Sequence, residues 1–339
     1  MHHLLLKYLI SFGIGAAMIW LAFRGEDFTG FGDRLRAVNL TPLLGYAVLF
    51  AAAHVLRIVR WGVLVRALGP IKWGDIFTAG CVGYMCISVF PLRLGEFVRP
   101  YLVRGRGGVT ASGALATVVV ERVIDGLLFV GLFFAFLSIL PPSGNPAVDA
   151  VKITAFVAGA VFLTALVVLI AAYTRRAWTV SLLSRIGERV LPSLTHKLLA
   201  LLEAFLDGLK VLPDKRRIAW FFGMTLVYWV GLGIGMRWMA LATQIPDLSY
   251  PGGFALLAVL TVGIMVPAGP GFTGTFELAL KGGFALLVLA PESLENVALY
   301  TIMLHVVQLG VQVGAGALVL ASGRVSLGQV VAAGDEAAV

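Results

Sequence analysis

The sequence predicts an all-α integral membrane protein. The expected arrangement is six full transmembrane helices plus two re-entrant helical hairpins related as an inverted repeat; eight full spans are the alternative. Three observations carry this. Of 339 residues, 59% are hydrophobic and 13% charged, with a mean hydropathy of +0.94, whereas a soluble domain carries about 25% charged residues. Apolar windows of about 20 residues, the length that crosses a bilayer, recur along the chain. Finally, two segments echo each other: Ser88-Val89-Phe90-Pro91-Leu92-Arg93-Leu94-Gly95-Glu96 and Ile264-Met265-Val266-Pro267-Ala268-Gly269-Pro270-Gly271-Phe272. Each follows a short apolar stretch, breaks at Pro-x-x-x-Gly and resumes. Broken apolar segments at corresponding positions of two halves point to a binding site. Irregular backbone at membrane depth persists only where protein or a wet cavity surrounds it.

In chain order, the full spans are expected at 5–23, 41–61, 111–140, 151–173, 218–242 and 297–321. The first resembles a signal peptide, with one Lys7 ahead of an apolar run. It lacks a small-x-small site before Arg24-Gly25-Glu26 and is expected to stay as a helix. The hairpins are expected in 74–104 and 253–290. Residues 253–266 number 14, about 21 Å of helix against a hydrocarbon core of about 30 Å. The amphipathic stretch 174–217 is read as cytoplasmic helices, either on the membrane surface or packed as a hairpin on the protein. The organisation is then a single transmembrane domain over 1–325, including 174–217, and a short C-terminal tail over 326–339.

Charge sets the expected orientation. Segment 174–217 carries Arg175, Arg176, Arg185, Arg189, Lys197, Lys210, Lys215, Arg216 and Arg217, and short basic loops stay in the cytoplasm. Loops 141–150 and 243–252 contain no Lys or Arg and are placed outside. Region 74–104 then starts and ends inside, region 253–290 outside, and both termini are cytoplasmic. The 24–39 loop runs against the rule, because it puts Arg24, Arg34 and Arg36 outside.

The net charge of +8 lies beside apolar spans rather than in a soluble patch, which favours anionic headgroups over nucleic acid. Cys81 and Cys86 lie within one apolar helix and read as packing residues, so no disulfide, metal or cofactor is expected.

Ionisable residues inside spans are costly and are functional candidates by default. One group is Arg93, Glu96 and Arg99 after Pro91. Glu96 and Arg99 share a helical face, Arg93 is a bidentate phosphate donor, and a helix restarting near Leu94 would turn its N–H groups to the break. The next is Glu121, Arg122 and Asp125 in the long span, either a site or salt-bridge glue between helices. The last is Glu277 with Pro267, Gly269, Gly271 and Gly274, where a first-turn carboxylate could be a structural cap or seek a cation. Weaker candidates are Arg57 and Arg60 at the end of the second span, Arg237 in the fifth, and His305, which shares a face with Gln308 and Gln312.

The order Pro91-Leu92-Arg93-Leu94-Gly95-Glu96-Phe97-Val98-Arg99, Glu121-Arg122-Val123-Ile124-Asp125, then Pro267-Ala268-Gly269-Pro270-Gly271 with Glu277 resembles the lysylphosphatidylglycerol synthase transmembrane family. The resemblance implies a bacterial or archaeal inner-membrane protein with facing re-entrant helices that moves polar lipids between leaflets. It offers phospholipid, hopanoid or polyprenyl-linked lipid as substrate partner. The synthases add a soluble aminoacyl-transferase domain, and this chain is expected to be a stand-alone member without it. Pro100 is expected to kink or end the helix after Arg99.

Together these readings predict a flippase-like lipid translocase of the bacterial inner membrane, not an enzyme, with no nucleic-acid partner and a homodimer left open. Arg93 and Arg99 would hold a lipid phosphate, while Glu96, Glu121, Asp125 and Glu277 pair with arginines or bind an amine. The alternatives are an accessory subunit without its own substrate path, or a membrane enzyme acting on a lipid-linked phosphate or sugar. The enzyme reading lacks support because the five His do not cluster in sequence and no HExxH occurs. With no nucleotide-binding motif, any drive is downhill or ion-coupled.

Overall fold

In chain order the helices are α1 (His2–Phe23), α2 (Phe31–Arg36), α3 (Leu40–Val65), α4 (Trp73–Val89), α5 (Val98–Val103), α6 (Ala111–Leu137), α7 (Pro146–Thr174), α8 (Arg176–Val190), α9 (Pro192–Gly208), α10 (Lys215–Ala242), α11 (Tyr250–Gly263), α12 (Thr275–Phe284), α13 (Pro291–Leu294), α14 (Val297–Ala321) and α15 (Leu327–Ala338). They come from a computed structural model that describes residues 2–26, 28–90, 95–137, 146–190, 192–209, 214–265 and 269–338. No strand occurs among the described residues. Among them, α3, α10 and α14 are long and apolar enough to cross a membrane, and a fourth span is added if α7 and α8, bent by 97° at their junction, count as one.

Polar caps fix several starts. Asn39 accepts from the Thr41 N–H at 3.1 Å, Asp214 from the Arg217 N–H at 3.0 Å, and Ser249 from the Gly252 N–H at 3.1 Å. Each side chain satisfies a donor that has no partner within its own helix. Tyr46, Phe50, Trp229, Met236, Leu256, Phe276 and Tyr300 form one apolar core between α3, α10, α11, α12 and α14. A second joins Leu64, Val120, Val123 and Phe221 to Leu206 and Leu209 at the end of α9. The α8–α9 pair is therefore a helical hairpin packed on α6, closed by Arg176 donating to Asp207 at 2.7 Å. Residues 327–338, read from sequence as tail, form α15, whose Val330 and Ala333 are buried with Val82, Cys86 and Val98.

Both echoed segments interrupt helices. After α4, Phe90 is extended (φ −83°, ψ 139°). Residues 91–94, including Arg93 and the expected restart at Leu94, lie outside the described residues. The chain resumes in a single turn over 95–97. A Cβ on Gly95 would sit 2.1 Å from the Ile87 nitrogen, so only glycine lets the chain return this close to the end of α4. Pro100 does not end the helix: it occupies the first turn of α5, where its missing N–H is not needed.

The second break follows α11, which is 14 residues long. Residues 266–268, including Pro267, lie outside the described residues. The path then uses Gly271 (φ 69°) and Gly274 (φ 93°), left-handed conformations that favour glycine, before α12 begins. Phe272 packs against two apolar cores, the one around Tyr46 and Met236 and another around Ile58 and Ile76. On the outer side α1 touches the break, and a Cβ on Gly274 would lie 2.5 Å from the Gly15 carbonyl oxygen. Lys281 donates to the Ala22 carbonyl at 2.8 Å and pairs with Glu26 at 2.7 Å.

Candidate functional site

The centre of the molecule holds a buried ionic network built by α3, α4, α5 and α6. Arg60 donates to Glu121 Oε1 at 3.0 Å, to Asp125 through both terminal nitrogens, and to Thr225 Oγ1 on α10 at 2.9 Å. Arg99 donates to Glu121 Oε2 at 3.2 Å and to the Tyr84 hydroxyl at 2.6 Å. Arg60, Arg99, Glu121 and Asp125 are all buried. Charges removed from water persist only when paired and hydrogen-bonded, and here two arginines balance two carboxylates. Periodicity explains the arrangement: Glu121 and Asp125 are one turn apart on α6, and α5 carries Arg99 back over α4 behind the Gly95 contact.

Two further arginines join this balanced core. Arg57 stacks on Tyr84, its guanidinium carbon 3.5 Å from the ring centre, and donates to Gln312 Oε1 at 3.2 Å. Ser88 donates to the same Gln312 oxygen at 3.2 Å. Arg122 is one-third exposed and reaches Glu121 only at 4.0 Å, with Glu96 also within electrostatic range. Among the described residues, the Nε atoms of Arg57, Arg60, Arg99 and Arg122, Arg99 Nη2 and the Trp229 indole N–H are buried without an acceptor.

These groups border a cavity of about 190 Å³. A water occupies about 30 Å³ in the liquid, so the space exceeds a single water. Arg57, Arg60, Arg122, Asp125, Ser88 and Gln312 line its polar side, and Phe50, Phe129, Trp229, Leu232, Leu257 and Leu260 its apolar side. With Arg60 committed to two carboxylates, Arg57 and Arg122 add two further guanidinium groups to the polar side, Arg122 with Glu96 in electrostatic range. The space suits an anionic group attached to an apolar tail.

At the second break, His305 on α14 lies between two acceptors: Nδ1 is 2.6 Å from Glu277 Oε1 and Nε2 is 2.7 Å from the Gly271 carbonyl oxygen. Glu277 Oε2 accepts from the Gly274 N–H at 2.7 Å, the reach-back half of a capping box. Phe276 stacks on the His305 ring at 4.1 Å between centres.

The structure thus redistributes the candidates. Glu121, Asp125, Arg99 and Arg122 converge with Arg57 and Arg60, which had counted as weak. Asp125 is gripped by Arg60 across the helix interface rather than by Arg122 on its own helix, because two terminal nitrogens of one guanidinium can reach both carboxylates. Glu277 finds a histidine, not the expected arginine, since α14 presents His305 directly above the restarted helix. Gly271 supplies a carbonyl and Gly274 an N–H, whereas Gly269 packs against Gly15 of α1. Arg237 stands apart, donating to the Ile245 carbonyl at 3.3 Å at the end of α10. Arg93 and Pro267 fall outside the described residues. Sequence reasoning missed Tyr84, Thr225 and Trp229. The signal for the α3 residues was present, since His54, Arg57 and Trp61 fall at i, i+3 and i+7 in an otherwise apolar helix with Arg60 beside them.

Comparison with known proteins assigns the family. The family described as lysylphosphatidylglycerol synthase TM region matches residues 5–316, and the chain belongs to it. Glycosyltransferase AglD of Haloferax volcanii is 26% identical over 305 residues, covering 83% of this chain and 49% of that protein. The chain spans about half the length of this curated relative. No solved structure matches. The relative's name corrects the expectation that the chain is no enzyme. The absence of clustered histidines or a metal motif in sequence was no ground for it, because glycosyl transfer needs neither to be visible as a short motif.

Proposed function

We propose that this member of the lysylphosphatidylglycerol synthase transmembrane family binds the phosphate-bearing headgroup of a membrane lipid in the central cavity and carries it between leaflets. The observation that carries this reading is Arg57, whose side-chain partners on α4 and α14 are the uncharged Tyr84 and Gln312, lining the same cavity as Arg122 and an apolar wall. An arginine fork matches a phosphate bidentately, and burial strengthens that contact. The aromatic and leucine wall then takes the start of the acyl or prenyl chain.

The same reading organises the topology. The α4–α5 and α11–α12 segments act as two broken hairpins entering from opposite faces of an inner membrane, with six full spans around them and both termini cytoplasmic. Three features support it: the 14-residue length of α11, the breaks after α4 and α11, and the positions of Ile87, Ser88, Ile264 and Phe272 at the cavity.

The relative's name favours a second reading, in which the cavity presents a lipid-linked phosphate or sugar to a glycosyl-transfer step. Purified protein in phosphatidylcholine vesicles carrying a fluorescent phosphatidylglycerol separates the outcomes. Wild type should equalise the probe between leaflets, and Arg57→Ala should lose most of that rate while staying folded. An Arg57→Ala variant that matches wild type refutes the assignment. Incorporation of a labelled sugar into polyprenyl phosphate by the same preparation supports the second reading.

A further inference from the structure

His305 is buried, and both of its ring nitrogens face acceptors. A neutral imidazole carries a single N–H. One proton must therefore lie on Nε2 for the Gly271 carbonyl, and a second between Nδ1 and Glu277 Oε1. Shared this way, the pair is electrically neutral as a whole. The other Glu277 oxygen is occupied by the Gly274 N–H. The same helical face carries Gln308, which donates to the Tyr46 hydroxyl at 2.9 Å, and Gln312, which accepts from Arg57. His305, Gln308 and Gln312 all line the central cavity.

We propose that the Glu277–His305 pair is a proton-binding site linked to the headgroup cavity, so that anion binding and proton retention favour each other. The proposal rests on the headgroup reading above. Loss of the shared proton has two local consequences. The pair acquires a net negative charge at the cavity wall, which opposes an anion there. One of the two contacts becomes acceptor against acceptor and must open, and these contacts hold α14 to the second break. The charged and titratable groups on the elements around the pair and its cavity are Tyr46, His54, Arg57 and Arg60 on α3, Tyr84 on α4, Arg99 on α5, Glu121, Arg122 and Asp125 on α6, Tyr228 on α10, Tyr300 on α14 and Lys281 on α12. Lys281 is turned away to Ala22 and Glu26. The α11 helix packed beside the break brings only Tyr250, at its far end.

The sign follows from linkage. The pair holds its proton at low pH, so affinity for an anionic headgroup should fall as pH rises, by up to about tenfold per pH unit for one linked proton. Two variants give opposite results. Glu277→Gln supplies an amide N–H to Nδ1 and keeps its carbonyl for Gly274, so every contact survives without the extra proton. It should be closed and independent of pH. His305→Phe keeps the ring stack but removes both contacts and should be open at every pH.

The test pairs two measurements on the full chain in detergent. Hydrogen exchange of residues 269–277, corrected for intrinsic rates, should show a pH-dependent opening step in wild type, none in Glu277→Gln, and constant fast exchange in His305→Phe. Titration with short-chain phosphatidylglycerol should give affinities that fall with pH in wild type and stay flat in Glu277→Gln. Wild type that exchanges without a step, or that binds the lipid equally at every pH, overturns the proton site. Wild type that binds no short-chain lipid at any pH defeats the headgroup reading and the linkage with it.

Discussion

Arg60→Met is the sharpest perturbation of the central network. The Arg60 side chain is 1% exposed and serves Glu121, Asp125 and Thr225 together. After its removal Glu121 keeps Arg99 at 3.2 Å and the Tyr84 hydroxyl at 3.4 Å, but Asp125 loses the guanidinium that neutralises it. Removing one partner of a buried ion pair costs about 3–5 kcal/mol, because a charge is left uncompensated in a low-dielectric interior. That is at least about a hundredfold in the folding equilibrium. Methionine preserves most of the volume, so cavity formation adds little. Removing Asp125 as well should recover much of the loss: Arg60→Met/Asp125→Leu replaces the pair by apolar groups and should show a coupling of about 2–3 kcal/mol against the sum of the singles. Reversible unfolding in mixed micelles, followed by far-ultraviolet circular dichroism, measures both. A loss below about 0.5 kcal/mol for Arg60→Met, as for an exposed site, or strictly additive variants, would refute the view that this network is a closed buried charge balance.

Two predictions concern the surface. Burial resists ionisation of Asp247, but the Ser293 hydroxyl and the Ala290 N–H donate to it and Arg237 adds its charge, so its carboxyl is held below the usual range. A depressed folded value contributes stability above the unfolded value of about 3.9, lost as pH falls through the folded one. Asp247→Asn should therefore cost about 1 kcal/mol near neutrality and nothing once acid has protonated the wild-type side chain, as thermal denaturation across pH would show. For orientation, an impermeant thiol reagent outside intact cells should modify Ser249→Cys and spare Ser322→Cys, both at exposed positions flanking spans; the reverse pattern inverts the topology.

The all-helical class and several helix bounds were legible because bilayer length leaves few choices, while three or four of the six expected full spans are long and apolar enough to cross among the described residues. The expected span 297–321 matches the bounds of α14, and 41–61 falls within α3, whose last turn adds Gly62 to Val65. Both breaks were visible as Pro and Gly in apolar surroundings. The partners inside the site were less legible. Helical spacing tells which residues share a face of one helix, so Arg122 looked like the natural mate of Asp125. The actual mate, Arg60, is 65 residues away and arrives by packing of α3 against α6. His305 likewise gave no local sign of its role, since its two acceptors lie 28 and 34 residues earlier on a different segment. Arg60 was underrated because a cation at the end of a span is usually a snorkelling anchor; here α6 and α10 cover it, through Glu121, Asp125 and Thr225.

The contact between α1 and the second break reaches beyond the protein. Lys281 ends the first helix by taking carbonyls that have no next turn to bind them, and Gly15 lies against Gly274. The outward side of α1 exposes Ile14, Trp20 and Leu21. A helix that faces lipid tilts to match the thickness of the hydrocarbon around it. Because α1 and α12 are tied together, such a tilt turns the backbone at Gly274 as well. With α1 against lipid, bilayer thickness would bear on the geometry around Glu277 and His305 without any ligand, and vesicles of different chain length are the measurement that checks it.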